Sequence, residues 1–394
     1  MSILRLGIRQ LGDAGSSLAY EDGIHLNFAT GQYYVKAVNN APTVAALTSL
    51  FTFTSGNQSM YMGPSGLLVQ SVTNTPRIEY DSSGNCLGLL MEAGRTNLAL
   101  HSDDMTNAAW ANVTTTTAKT STGPDGVDNS ATRLTATGAN STRLQTVTSA
   151  SATRAYSNWM RRITGTGNIQ MTLDNGGTWT TKTLTSSWQR FDITQAAVTN
   201  PVFGVRIVTN GDAIDVYGNQ MESAAFASSL IPTTTVGIAR TADSCIRTLS
   251  TEFSATAGTV VIAGRASGGQ DASSGQAAWS FDNGTLDERF CFTRSPASDT
   301  GNYLVVDGGV AQVLLGHTFA NSTAFKVAAA WAANDAAVSF NGDAVETDAT
   351  VTMPTVTTLN VGGLVLSSQM NGHILRFDYY PTRRDNTYLQ QASV

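Results

Sequence analysis

Charge is what this sequence has least of. Only 13% of its 394 residues are Asp, Glu, Lys or Arg, about half the usual share for a globular domain. Lys and Arg together number 23 and never form a run; the densest basic spots are Arg161-Arg162 and Arg383-Arg384. With a net charge of −6, the chain has no basic stripe for a phosphate backbone. Nucleic acid is therefore not an expected partner, and neither is an electrostatic membrane anchor. Cysteine is nearly absent. Cys86, Cys245 and Cys291 stand far apart with no Cys-x-x-Cys pair, so zinc and thioredoxin-type sites are excluded. The three read as small buried hydrophobes, and a disulfide-stapled secreted fold is not expected.

Long apolar runs are missing too. No stretch reaches the ~18 residues of a membrane span, so membrane insertion is not expected, and the first fifteen residues are too short and polar to read as a signal peptide. His25, His101, His317 and His373 are scattered. No His-Glu-x-x-His, Gly-x-Ser-x-Gly or phosphate-cradling glycine loop occurs. No catalytic residue is nominated, and the chain reads as non-enzymatic. Capped amphipathic helical runs are also absent.

What is present is β-rich. Val202–Val208, Ala213–Tyr217, Gly258–Gly264, Tyr303–Asp307 and Ala337–Asn341 read as short strands, and Lys182–Thr194 reads as two strands around a Ser-Ser bend. Asn-Gly, Asp-Gly and Gly-Gly turns punctuate them, as tight hairpins need positive φ. The fold class is all-β: tandem β-sandwich or jelly-roll domains with a small mixed N-terminal attachment region. Three blocks are expected, residues 1–100 (a short helix and a few strands), 101–248 and 249–394, with a boundary at Ile231-Pro232 and the polar stretch after it.

Thr172-Leu-Asp-Asn-Gly-Gly-Thr-Trp179 fits the Asp-box pattern. Its physics is local: Asp174 accepts turn amides, glycine supplies positive φ, and tryptophan packs under the hairpin. One copy is a fold staple rather than a sialidase. For a carbohydrate ligand the candidates are Trp159 and Trp179, whose rings could meet the C–H face of a pyranose, with Arg161, Arg190 and Asp174 fixing hydroxyls. Against this stands the simpler reading of aromatic core packing beneath solvated arginines. Trp188 reads as partly core. Asp282 with Asp287 and Glu288 offers paired carboxylates, but the segment reads more simply as a hairpin turn with a charged shoulder. Asp282 and Asn283 could alternatively supply oxygen ligands for Ca²⁺; no other cofactor is expected.

One segment carries a longer signal. Pro76-Arg77, Tyr80-Asp81, Leu87-Gly-Leu-Leu90, Glu92 and Arg95-Thr-Asn-Leu98, followed by Asp103-Asp104 and Asn107-Ala-Ala-Trp110, resemble a module common in phage tail-fibre and virion structural proteins. Phe51-Thr-Phe-Thr54 and Gly66-Leu-Leu-Val69 fit the same module. The next block resembles the carbohydrate-binding jelly rolls that accompany it, through Tyr156–Arg161, Leu184–Arg190, Ile214–Glu222, Ile231-Pro-Thr233 and Arg240-Thr-Ala-Asp243. The third resembles a concanavalin-like (laminin-G-like) sandwich, closing on Met370–Pro381 and Leu389.

The resemblance covers roughly residues 50–394. It implies a virion structural protein (tail fibre, spike, or head-fibre or decoration subunit), assembled in the host cytoplasm and located in the virion. It also implies contact with host surface carbohydrate and with other virion proteins through the N-terminus. Two alternatives stand beside it: a purely architectural capsid cement protein without a ligand, and a glycan depolymerase. A depolymerase would need a repetitive parallel β-helix, which this sequence lacks. Low charge with few lysines leaves strand edges unprotected, so a homo-oligomer, a trimer by preference, is expected. Ile3, Leu4, Leu6, Ile8 and Leu11 lie in a segment, residues 1–45, too short to build its own core. That segment is expected to gain stability by docking on something else.

Overall fold

The computed structural model describes residues 20–266, 275–295, 299–320, 323–365 and 368–394. The apolar N-terminal cluster from Ile3 to Leu11, and any helix expected with it, lie outside the described residues. The chain is all-β. Helices among the described residues are two short ones, Leu47–Leu50 and Asn386–Ala392. The strands expected from sequence fall on observed ones, including the pair Thr180–Lys182 and Gln189–Val198 on either side of the Ser-Ser bend.

A ten-stranded and a seven-stranded antiparallel sheet form a sandwich. Alternation along each strand sends one set of side chains inward. From the ten-stranded sheet these are Ile24, Leu26, Val260, Ile262, Val327, Trp331, Phe377 and Tyr379; from the other, Phe281, Phe290, Phe292, Tyr303 and Leu359. Trp331 stacks on Phe290 with ring centroids 4.5 Å apart. Cys245 and Cys291 are buried in this sandwich, whereas Cys86 is half-buried; all three are free thiols.

The sandwich is not made from residues 249–394 alone. The strand Gly23–Asn27 pairs with Gly372–Tyr380, placing Ile24 opposite Tyr379. Thr52–Thr54 pairs with Ser244–Thr248, and Cys86–Met91 pairs with Gly372–Tyr380. The described part of the segment expected to dock elsewhere, from Tyr20 to Ala45, finds its docking surface within its own chain. The physical reason is the one that made docking necessary: a few strands bury too little surface alone, and an open sheet edge in the C-terminal sandwich completes them. Gly23 allows this approach. It has φ +125°, and a Cβ there would sit 1.8 Å from the Tyr379 carbonyl oxygen.

Two five-stranded sheets make the second unit, a jelly roll whose strands run from Ala111–Val113 to Ala213–Glu222. Its core gathers Trp110, Leu134, Tyr156, Met160, Ile169, Met171, Phe203, Val205, Ile214 and Val216. The chain enters it after Arg95–Asn97 and leaves it before Ile238–Arg240, and these two strands pair side by side, Asn97 opposite Ile238. The jelly roll is thus an insertion between neighbouring strands. Asn97 staples that neck with all its amide valences. It donates to the carbonyls of Asn219 (3.1 Å) and Ile231 (2.8 Å), and it accepts from the amides of Ala99 and Met221 (3.0 Å each).

Beside the neck lies a buried ionic junction. Glu92 accepts from Arg77 Nη1 at 2.7 Å, Arg240 Nη1 at 2.8 Å, and both the hydroxyl (2.6 Å) and amide (2.8 Å) of Ser229. Asp243 pairs with Arg77 Nη2 and accepts from the Glu92 amide at 2.8 Å. All four charged residues are buried, and the two cations balance the two anions. Burial by itself would raise the Glu92 carboxyl, but the guanidiniums of Arg240 and Arg77 and the Ser229 donors hold it well below its ordinary value.

Replacing one member of such a set leaves an uncompensated charge in the interior, which costs about 3–5 kcal/mol. Glu92→Gln is expected to lower stability by that amount in denaturant unfolding. The pH dependence follows from the lowered value. The contribution of Glu92 is full above the unfolded carboxyl's value of about 4.3 and is lost as pH falls below it. The wild-type protein should therefore lose stability through that acid interval more steeply than Glu92→Gln, and equal slopes would contradict the assignment.

Candidate functional site

On the strand Ala152–Thr164, Tyr156 and Met160 point into the jelly-roll core. Ser157, Trp159 and Arg161 alternate with them and face outward. The hairpin formed by Met60–Met62 and Leu68–Gln70 lies on this outer face. Met60, Met62, Leu68, Tyr217 and Leu230 form a small apolar cluster there, and Trp159 and Trp188 pack half-buried against it. Trp159 stands opposite Arg190 on one neighbouring strand and opposite Tyr217 on the other.

Next to the cluster the same face becomes polar. Asp215 is fully buried at the root of the array. It accepts from Arg133 Nε (2.9 Å), Arg161 Nε (2.9 Å) and Ser121 Oγ (2.8 Å). Burial would raise its carboxyl, but these hydrogen bonds, led by the one from Arg133, hold it below its ordinary value. The Arg161 guanidinium also lies over the Trp188 ring, 4.7 Å from its centroid. Arg133 and Arg161 are pinned at their inner ends while their side chains stay 38% and 25% exposed. The result is a ledge of oriented N–H donors beside an indole, a geometry that suits hydroxyl or carboxylate oxygens. Arg190 lies further along the face, donating to Ser157 Oγ at 3.1 Å and to the Ser228 carbonyl. There it lines a cleft of about 100 Å³ with Glu79, Phe226, Asn371 and His373.

Three of the five residues nominated from sequence therefore share one face: Trp159, Arg161 and Arg190. Asp174 and Trp179 do not join them; they sit on a hairpin of the other jelly-roll sheet, around Ile169–Thr172 and Thr180–Lys182. Asp174 Oδ1 accepts from Thr172 Oγ1 (2.9 Å) and the Thr178 amide (2.8 Å), and Oδ2 accepts from Gln195 (3.1 Å). Both carboxylate oxygens are thus engaged within the protein. Trp179 carries the Arg206 guanidinium on its ring at 4.1 Å and lies so close under Gly176, at φ +81°, that a Cβ there would be 2.8 Å from its Nε1. This hairpin is the local staple that the Asp-box pattern describes.

The nominated Ca²⁺ ligands, Asp282 and Asn283, are each engaged within the protein. Asp282 accepts from Ser280 (2.7 Å), Asn360 (2.7 Å) and the Gly284 amide (3.0 Å), and burial raises its carboxyl. Asn283 Oδ1 instead closes its own turn on Thr285. Among the described residues no group of three or more His, Cys, Asp or Glu is arranged to hold a metal ion.

Sequence reasoning missed Arg133, Asp215 and Arg206. Asp215 had a signal: it is the one charged residue in the strand segment Ala213–Tyr217, on a strand that is buried throughout, and a carboxylate in such a place needs cationic partners.

No family model and no curated protein matches the chain. Solved structures match parts of it. They include the Ruminococcus gnavus IT-sialidase CBM40 bound to α2,6 sialyllactose, at 17% identity and TM-score 0.31, covering 36% of this chain and 85% of that one. The leech intramolecular trans-sialidase matches at 17% identity and TM-score 0.30, covering 36% and 23%. The binding domain of botulinum neurotoxin DC in complex with rat synaptotagmin II matches at 12% identity and TM-score 0.30, covering 38% and 39%.

If Asp174 serves the hairpin alone, Asp174→Ala is expected to destabilise the jelly roll by about 0.5–1.5 kcal/mol, the usual net worth of a hydrogen bond on a part-exposed turn. Ligand binding by the folded protein should be unchanged. Loss of binding at full stability would instead return Asp174 to the site.

Proposed function

We propose that this chain is a non-enzymatic structural protein of a bacteriophage virion that uses its jelly roll to contact host surface glycans. The single observation that supports glycan contact most directly is the Arg133–Asp215–Arg161 ledge beside Trp188. Its donors are oriented before any ligand arrives, so little ordering remains to oppose binding. The virion role rests on the resemblance of the segment from Pro76 to Trp110 to tail-fibre modules. The location in the particle and the contact with other virion proteins through the N-terminus belong to the same proposal.

The oligomer is proposed on a separate observation. Val310–Thr318 is the outermost strand of the seven-stranded sheet. Over its nine residues it carries no Lys, Arg or Pro, and Val310 and Leu314 are 61% and 64% exposed. Natural edges are usually guarded by such residues, so this one suits pairing with a second copy.

On a glycan array the purified protein should give signals that weaken at least about tenfold, or 1.4 kcal/mol, in an Arg133→Ala/Arg161→Ala variant. A silent array together with tight binding to capsids would favour the architectural cement protein. Release of reducing sugar from host polysaccharide would favour the depolymerase.

Sedimentation velocity checks the assembly. Leu314→Lys should shift the protein from oligomer toward monomer, and a wild-type chain that is already monomeric would overturn that part of the proposal.

A further inference from the structure

We propose that the outward face of the ten-stranded sheet carries a second ligand site, independent of the jelly roll, that takes a neutral pyranose. Its floor is set by strand register. Gly23–Asn27 lies between Gln32–Lys36 and Gly372–Tyr380, so that Tyr34, His25 and Asp378 form one rank and Gln32, Asn27 and Arg376 the next. Ile24, Leu26, Phe377 and Tyr379 point into the core, which turns both ranks outward. On the adjoining strand Val261 and Ala263 stand opposite Asp378 and Arg376, and Val261 packs against the apolar cluster under the C-terminal helix. The helix Asn386–Ala392 lies further along the same outward face, with Leu389 on Ala328, Ala330 and Ala337. Its first turn meets Tyr380 through Tyr388, with ring centroids 5.9 Å apart. Beside Tyr380, over His25, Tyr34, Arg376 and Asp378, lies a hollow of about 290 Å³, at the small end of ligand sites, which run from about 300 Å³ upward. It suits one ring rather than a long chain.

The lining is more ordered than a solvated sheet face requires. Asp378 and His25 are 3% and 6% exposed, and His25 Nδ1 lies 2.9 Å from Asp378 Oδ1. Arg376 Nε pairs with the other carboxylate oxygen. Tyr34 stacks on His25 at 4.6 Å, and Tyr20 meets the edge of Tyr34 at 4.7 Å. This makes an aromatic wall beside a polar floor, the combination that a sugar ring with one C–H face and a rim of hydroxyls can use. Burial pushes the Tyr34 phenol up to about 12, so it remains a donor at neutral pH.

Charge selects among ligands. Asp378 is answered by Arg376, and Glu21 by Arg384 at 2.8 Å. With the cations already matched, a phosphate or a sugar acid would arrive without a counter-charge. The Gln32 amide offers both a donor and an acceptor, and the Asn27 amide, whose oxygen accepts from the Thr30 N–H at 3.1 Å, adds donors, as hydroxyls need.

The test is saturation-transfer NMR on the full chain with the methyl glycosides of glucose, galactose and mannose. N-acetylneuraminic acid and inorganic phosphate serve as acidic comparators. Transfer to at least one neutral glycoside is expected, and affinity should fall at least about tenfold in Tyr34→Ala and in Arg376→Ala. The exposed Gln32→Ala gives a weaker loss in a variant whose fold is not at issue. Each sandwich substitution is also made in the Arg133→Ala/Arg161→Ala background, where the transfer that remains comes from the sandwich hollow, which separates this site from the jelly-roll ledge. The proposal is overturned if no neutral glycoside receives transfer, if only the acidic probes do, or if, in the Arg133→Ala/Arg161→Ala background, transfer survives all three sandwich substitutions.

Discussion

Four buried charges hold this molecule's two units in register. Arg77, Glu92, Arg240 and Asp243 are buried where the sandwich, the jelly-roll neck and the Met60–Gln70 hairpin converge. A buried ion pair of ideal geometry adds little net stability over an apolar replacement. Its strength is intolerance: each charge accepts only the arrangement in which all the others are present. The junction therefore acts on orientation more than on total stability. It ties segments separated by more than 150 residues, as in the Arg77–Asp243 contact, and it brings Ser229 and the strand leaving the jelly roll to one point. Arg190 and the cleft beside Ser228 inherit their position from it.

The strands were legible because their cause is local. Alternation and turn chemistry act over a few residues, so the readings Val202–Val208, Tyr303–Asp307 and Ala337–Asn341 fall on the strands Val202–Ile207, Thr300–Asp307 and Asp335–Phe340. Pairing was not legible, because its cause is distant. Nothing near Ile24 announces that its partner is Tyr379, and the block boundary read near residue 100 cuts through hydrogen bonds between Cys86–Met91 and Gly372–Tyr380. The ordered motif from Arg77 to Asn97 was visible as a pattern, but its physics was not. Its charged members and Asn97 are internal staples, and a buried arginine cannot be told from a solvated one until its carboxylates are located.

The candidate site divides along the same line. Trp159, Arg161 and Arg190 were nominated by residue type, and it is the strand register, Trp159 opposite Arg190, that brings them onto one face. Asp174 and Trp179 were drawn in by residue type, and their own hairpin claims them. The six tryptophans make the point. Trp110, Trp279 and Trp331 are fully buried, while Trp159, Trp179 and Trp188 are half-buried, each held by an apolar cluster or a guanidinium. Composition gave equal reason to suspect any of them; only the sheet face on which each falls separates core from rim.

The insertion of the jelly roll between paired neighbours has a mechanical consequence. Arg95 and Arg240 lie opposite each other, so the jelly roll hangs from two adjacent points. Tension drawn between Gly23 and Tyr380 does not pass through it. That load falls on the ladder joining Gly23–Asn27 to Gly372–Tyr380, and because Ile24 faces Tyr379 at its open end, the ladder is peeled one hydrogen bond at a time rather than sheared. A pull on a ligand held by the jelly roll instead reaches both neck strands together, and the sandwich receives it as a shared load.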